Sequence, residues 1–178
     1  MAMIRRRSFI VASFFTGLVC SLAMPGWVAA SDVVWKEYVN GRFGFKIPYP
    51  ASLVPQREPD NGGGRRFVSK DGKVELVAHA HYIGLNEGDS FHDRWNEALK
   101  EYGKSVTYKR KAATWFVISG VLPDGTEYYE KLHVQKHNYA AFKITYPHAA
   151  TAVYSPWVEK IAKEFVPFLP DPEYDRAD

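Results

Sequence analysis

The pattern with the sharpest chemical meaning in this 178-residue chain is His79-Ala80-His81. Residues two apart on a strand share a face, so both imidazoles could reach one metal ion. Glu75 on the same face, or His133 from a later strand, could supply a third ligand. Six histidines in a chain of this length are not an enrichment, and two surface or partly buried side chains explain the pair as well. The reading therefore assigns no metal ligand, and keeps a metal-binding protein or metal-dependent enzyme using His79 and His81 as the alternative. His133 and His137 sit four apart near a turn, where that spacing makes no common ligand face, and read as surface residues. His92 beside Asp93 reads as part of a solvated helix face.

Other constellations are weaker. No Gly-x-Ser-x-Gly motif is present, and Ser119-Gly120 lies mid-strand rather than in a strand-to-helix turn. Asp60, Glu75, Glu127 and Glu130 have no context that marks an acid–base pair. No catalytic residue and no cofactor is assigned. Lys104 with Lys109-Arg110-Lys111 forms a basic strip, which could meet an acidic partner or lipid headgroups but reads first as a charged edge strand guarded against aggregation. Tyr129 and Tyr139, read as outward-facing and paired across a hairpin, could stack a ligand, with sheet stabilisation as the plainer role. Gly62-Gly63-Gly64 reads as a short flexible loop without a phosphate-binding role, because no helix follows it.

Turn chemistry and periodicity define the elements that carry these residues. Asp71-Gly72 and Asp124-Gly125 mark two hairpins, since Gly supplies the positive φ that tight turns need. The first joins 66–69 to 73–83, the second 114–122 to 126–136, and His137-Asn138 turns the chain into 139–146. Strands joined so tightly are antiparallel. Residues 115–122 are apolar on both faces and read as a central, doubly covered strand, whereas 139–146 alternate and read as having one wet face. Ser90, with Asp93 three residues on, caps a helix whose stripe is Phe91, Trp95, Ala98, Leu99 and Tyr102, ended by Gly103. Ser155-Pro156 reads as the start of a second helix, with Trp157, Val158, Ile161, Ala162 and Phe165 at helical spacing.

The order of strands, helix, four-strand meander and helix predicts an α+β fold: a twisted antiparallel sheet of about six to seven strands flanked by helices. Near its start the chain reads Arg42-Phe43-Gly44-Phe45-Lys46-Ile47-Pro48-Tyr49-Pro50, and later Gly62 to Phe67, Trp115 to Gly120, Tyr128-Tyr129 and Tyr146-Pro147. Over about 35–167 this resembles the PsbP-like α/β/α sandwich superfamily, which includes small exported bacterial proteins. The resemblance implies a binding or assembly module more often than an enzyme, and it supplies no catalytic residues. Its motifs are structural: Phe43 and Phe45 flank Gly44, and Tyr-Pro ends a strand because proline has no amide for the ladder.

Composition bounds the rest. The net charge is +3, from 23 Lys and Arg against 20 Asp and Glu. Residues 1–30 hold Arg5, Arg6 and Arg7 and no acid, so removing them leaves 20 bases against 20 acids. A balanced chain is not a general nucleic-acid binder, whose affinity needs an excess of Lys and Arg. Basic Arg5 to Arg7, apolar 9–24, and Val28-Ala29-Ala30 before Ser31 read as a cleaved export signal over 1–30. Arg6-Arg7-Ser8-Phe9-Ile10 partly matches the twin-arginine variant, so export by the general secretory or the twin-arginine route remains open. Cys20, the one cysteine, falls within that signal, which leaves a mature chain without disulfides or thiolate sites. Residues 31–168 form one domain, long enough to bury roughly two-thirds of its unfolded surface, and 169–178 an acidic, frayed tail. The expectation is a non-catalytic periplasmic or secreted binding or accessory protein, not integral to the membrane, whose partner is an unknown protein or small ligand of the envelope. An envelope or lipid-surface interaction protein is a further alternative.

Overall fold

The computed structural model describes residues 33–170; the expected export signal, Cys20 and most of the acidic tail lie outside them. Nine strands and two helices follow in order. They are β1 (Trp35–Asn40), β2 (Phe45–Pro50), β3 (Leu53–Pro55), β4 (Gly64–Ser69), β5 (Glu75–Tyr82), α1 (Phe91–Tyr102), β6 (Val106–Lys111), β7 (Trp115–Val121), β8 (Thr126–Gln135), β9 (Asn138–Pro147) and α2 (Thr151–Glu164). β1 and β2 form a separate hairpin, and the other strands make one seven-stranded antiparallel sheet in the order β3-β4-β5-β9-β8-β7-β6. This is the predicted α+β sandwich.

Local chemistry accounts for most boundaries. Gly72 (φ +71°) and Gly125 (φ +84°) sit in the two predicted Asp-Gly turns. Ser90 caps α1 reciprocally: its hydroxyl accepts from Asp93 N–H, and the Asp93 carboxylate accepts from Ser90 N–H at 2.9 Å. Three expectations need correction. Gln135 pairs directly with Asn138, so the third turn is Lys136-His137, with Lys136 taking the positive φ of +54°. α2 starts at Thr151, five residues before Pro156, which lies inside the helix. Proline has no amide to donate to Ala152 O, and the helix nonetheless continues through it to Glu164. Gly64 is not loop but the first residue of β4. Its Cβ would lie 2.2 Å from Ala78 O, so only glycine lets this strand approach β5.

The sheet has two differently covered faces. On one, α2 and the β1–β2 hairpin bury Phe45, Ile47, Phe67, Leu76, Phe142 and Ile161. On the other, α1 buries Phe116, Ile118, Leu132, Tyr139 and Ala141. The central strand is β9, not β7. Tyr139 to Phe142 are buried on both faces, so β9 has no wet face along that stretch. β7 lies one strand from the edge; Phe116 and Ile118 are buried on the α1 side and Val117, between Arg110 and Lys131, is buried on the other, while Trp115 and Val121 are only half-buried. The covers are offset. α1 spans β7, β8 and β9 and leaves β3, β4 and β5 bare, whereas the hairpin and α2 span β4, β5, β9 and part of β8 and leave β6 and β7 bare.

Lys109, Arg110 and Lys111 of the basic strip fall on β6, the edge strand, as predicted for a guarded edge, whereas Lys104 lies in the helical turn before it. Beside it, β6 crosses β7 so closely that a Cβ on Gly120 would sit 1.8 Å from Ser105 O and 2.9 Å from Tyr128 Oη. Gly120→Ala is therefore expected to lower stability by about 2–3 kcal/mol in urea unfolding. A loss below about 0.5 kcal/mol would show that this close approach does not exist.

Candidate functional site

The bare half of the α1 side is a groove of about 420 Å³ along β4 and β5, between the 56–63 loop and Tyr139. Val77, His79 and His81 of β5 form its floor because they alternate to this face, opposite Leu76, Ala78 and Ala80 in the core. Gly63 and Gly64 keep the loop flat against that floor, and Gly63 O accepts Ala80 N–H at 2.8 Å. Arg66 crosses to Glu75 as a bidentate pair at 2.7 and 2.8 Å, and Arg57 pairs with Asp60 at 3.1 Å. The rim cations are thus already partnered, and the groove surface is mainly apolar.

The groove continues under α1 into a smaller recess of about 130 Å³, with His79 and Tyr139 lining both. The recess is polar. Glu130, paired across strands with Lys143, is half-buried, and loss of solvent pushes its carboxyl above the ordinary range; Tyr102 Oη donates to it at 2.6 Å. The Tyr102 hydroxyl is raised by burial and by that carboxylate, and its ring stacks on Tyr128 at 4.0 Å. Arg94 binds Asp89 and Glu97 and lies over the Tyr139 ring at 5.4 Å, yet its Nε–H has no partner. His79 Nδ1 is also shut off from solvent without a partner. Burial, then the positive charges of Lys143, Arg94 and His81, lower the His79 pKa to about 4. The ring is therefore neutral at pH 7.

His79 and His81 do share a face and flank Tyr139, at 5.7 and 6.4 Å between ring centres. Neither proposed third ligand joins them. Glu75 is held by Arg66, and His133 lies on the opposite face of the sheet, stacked on Trp115 at 6.2 Å. Among the described residues no group of three His, Cys, Asp or Glu is placed to hold a metal. His133 is also not a surface residue: its Nε2 is shut off from solvent. Tyr129 and Tyr139 do not form a patch. Tyr129 pairs with Ile144 and stacks on Phe142, on the α2 face, while Tyr139 faces α1.

One cluster has no signal in the sequence. Glu127 accepts from Tyr146 Oη at 2.9 Å and from Thr151, the first residue of α2, and meets His148 Nδ1 at 2.8 Å. These hydrogen bonds hold its carboxyl below the ordinary range against the opposing effect of burial. A nucleophile–base–acid triad needs the hydroxyl and the carboxylate on different imidazole nitrogens. Here Thr151 Oγ1 and Glu127 both meet Nδ1, so the cluster fastens the start of α2.

A search of solved structures finds the solution structure of cyanobacterial PsbP (CyanoP) from Synechocystis sp. PCC 6803. It matches at TM-score 0.57 and 10% identity over 83% of this chain and 99% of that one. The fold is PsbP-like. A crystal structure from Bacteroides thetaiotaomicron matches at TM-score 0.48 and 18% identity, over 78% of this chain and 49% of that one. No protein-family model matches the chain, and no curated protein does. Among the described residues no helix is long and apolar enough to cross a membrane.

His79, half-buried with its Nδ1 shut off from solvent, makes the site sensitive to pH. It protonates near pH 4 in the folded chain but near 6.5 when unfolded, so the unfolded chain holds more protons between these values. Stability then falls as pH drops from 6.5 toward 4, by up to about 1.4 kcal/mol per pH unit for a full proton. Urea unfolding at pH 7.5, 5.5 and 4.5 should show His79→Gln with a shallower dependence than the parent. Equal slopes would place His79 in solvent.

Proposed function

We propose that this protein is a non-catalytic binding or accessory module of the bacterial envelope, and that the groove over β4 and β5 takes apolar side chains of a protein partner. The observation that carries this reading is the bare apolar floor of Val77 and its neighbours inside an otherwise well-covered fold. Val54 and Val68, paired across β3 and β4, extend the same face, and Val54 is 44% exposed. A concave apolar surface of this kind is a common signature of an interaction site. Its arginines are already neutralised by Glu75 and Asp60, which favours an uncharged contact over a charged ligand. The pattern of residues 1–30 supports export, and the PsbP-like fold is compatible with an accessory role.

The test uses a photo-crosslinking amino acid placed at Val68 or at Arg57, with Val153 on the outer side of α2 as the control. In the native host a single adduct of defined mass should form from the two groove positions and not from Val153, and Val77→Asp should abolish it at unchanged protein level. Equal labelling from all three positions, or turnover by the purified protein in hydrolase and redox screens, would sink the proposal.

A further inference from the structure

On the opposite face, at the other end of the sheet, a second concavity of about 340 Å³ lies where α2 leaves β6, β7 and the adjoining part of β8 open. The strand register builds it in rows. Tyr108, Ser119 and Tyr129 form one row, Arg110, Val117 and Lys131 the next, and Trp115 with His133 the third. Directly paired residues in antiparallel strands point to the same side, so three aromatic rings, an imidazole and two cations converge on one surface.

The cations are held in place without being neutralised. Arg110 lies over the Trp115 ring at 5.3 Å, and Lys131 Nζ donates to Ala162 O in the last turn of α2 at 2.9 Å. Among the described residues neither forms an ion pair with a carboxylate, and no carboxylate lines the concavity. This separates it from the groove over β4 and β5, where the arginines are paired. Trp115 and His133 stack with 27° between their planes, and buried His133 Nε2 has no hydrogen-bond partner. Burial, then the Lys131 charge, lowers the His133 pKa to about 4, so the ring is neutral at pH 7 and adds no charge of its own to the surface.

We infer that this concavity is a binding site for a small planar anion, an aromatic ring bearing a carboxylate or a phosphate. The ring stacks among Tyr108, Trp115 and Tyr129, and the anionic group lies between Arg110 and Lys131. Aromatic faces bind a flat ring with little dependence on its identity, and two fixed cations without a competing acid select the charge. The volume falls at the lower end of small-ligand pockets, roughly 300–1,000 Å³, which fits one or two fused rings rather than a protein segment. The site is independent of the groove proposed for a protein partner.

The experiment titrates the nitrogen-15-labelled domain with 2-naphthoate, with adenosine monophosphate, with uncharged 2-naphthamide and with inorganic phosphate. The readout is the indole N–H signal of Trp115, assigned by its loss in Trp115→Phe. At least one of the two planar anions should shift that signal and bind at least tenfold more tightly than 2-naphthamide and than inorganic phosphate. Arg110→Gln and Lys131→Met should each weaken it about tenfold, while Lys104→Gln, outside the concavity, leaves it unchanged. Unaltered melting temperatures of the variants establish that they fold. The inference is overturned if neither planar anion shifts Trp115, if 2-naphthamide or phosphate binds as tightly, or if only a glutamate-rich peptide shifts it. Failure of the groove crosslinks would leave this result untouched, and the reverse also holds.

Discussion

The architecture depends on the pairing of β9 with β5 on one side and β8 on the other. Pairing with β8 follows from a two-residue turn and needs little chain closure. Pairing with β5 joins segments separated by α1 and a three-strand excursion, and it turns two local sheets into one. The long loop is closed by burial: Ala78, Ala80, Ala140 and Phe142 are sealed on the α2 side, and Ala141 on the α1 side. Small residues at the crossing let the strands lie under both covers, with Phe142 meeting Phe165 at 5.1 Å. Apolar burial at about 25 cal/mol per Å² makes such a doubly covered strand the main contributor to stability in a chain whose described part holds no disulfide.

A seven-stranded sheet is wider than one helix or one hairpin can cover. The covers meet over β9 and diverge from it, α1 toward β7 and the β1–β2 hairpin toward β4. Two diagonal corners stay open as a result, and they differ in chemistry. Over β4 and β5 the arginines are neutralised by carboxylates from the same strand pair or loop, which leaves an apolar floor. Over β6 to β8 the cations lie against an aromatic ring and a helix carbonyl and keep their charge. One fold thus presents a concave surface whose charges are paired and a cationic aromatic one on opposite sides.

Local features were legible in the sequence because their causes are local. The Asp-Gly turns, the Ser90–Asp93 cap, the stripe from Phe91 to Tyr102 and the charged edge strand all appear as read. The Phe43-Gly44-Phe45 and Tyr-Pro motifs led to a PsbP-like sandwich, and the structural match agrees. What escaped was non-local. β7 carries apolar residues on both faces, yet β9 is central, because only long-range pairing decides strand order. Ser155-Pro156 satisfies the cap-then-proline rule inside α2 rather than at its start, while Glu127 from a distant strand holds the true beginning at Thr151. The two-residue spacing does put His79 and His81 on one face, but the sheet puts His133 on the other. The recess with Glu130 and the row of Arg110 with Lys131 arise only from strand register, which a single sequence does not display.

The central claim is that the bare floor over β4 and β5 is the working surface for a protein partner. It is tested most directly by methyl NMR of the valine-labelled protein in an extract of its native envelope. The account predicts that the methyl signals of Val54, Val68 and Val77 broaden or shift together while exposed Val153 on α2 stays sharp. Unchanged signals from the three groove valines, with perturbation confined to Val153, would contradict it.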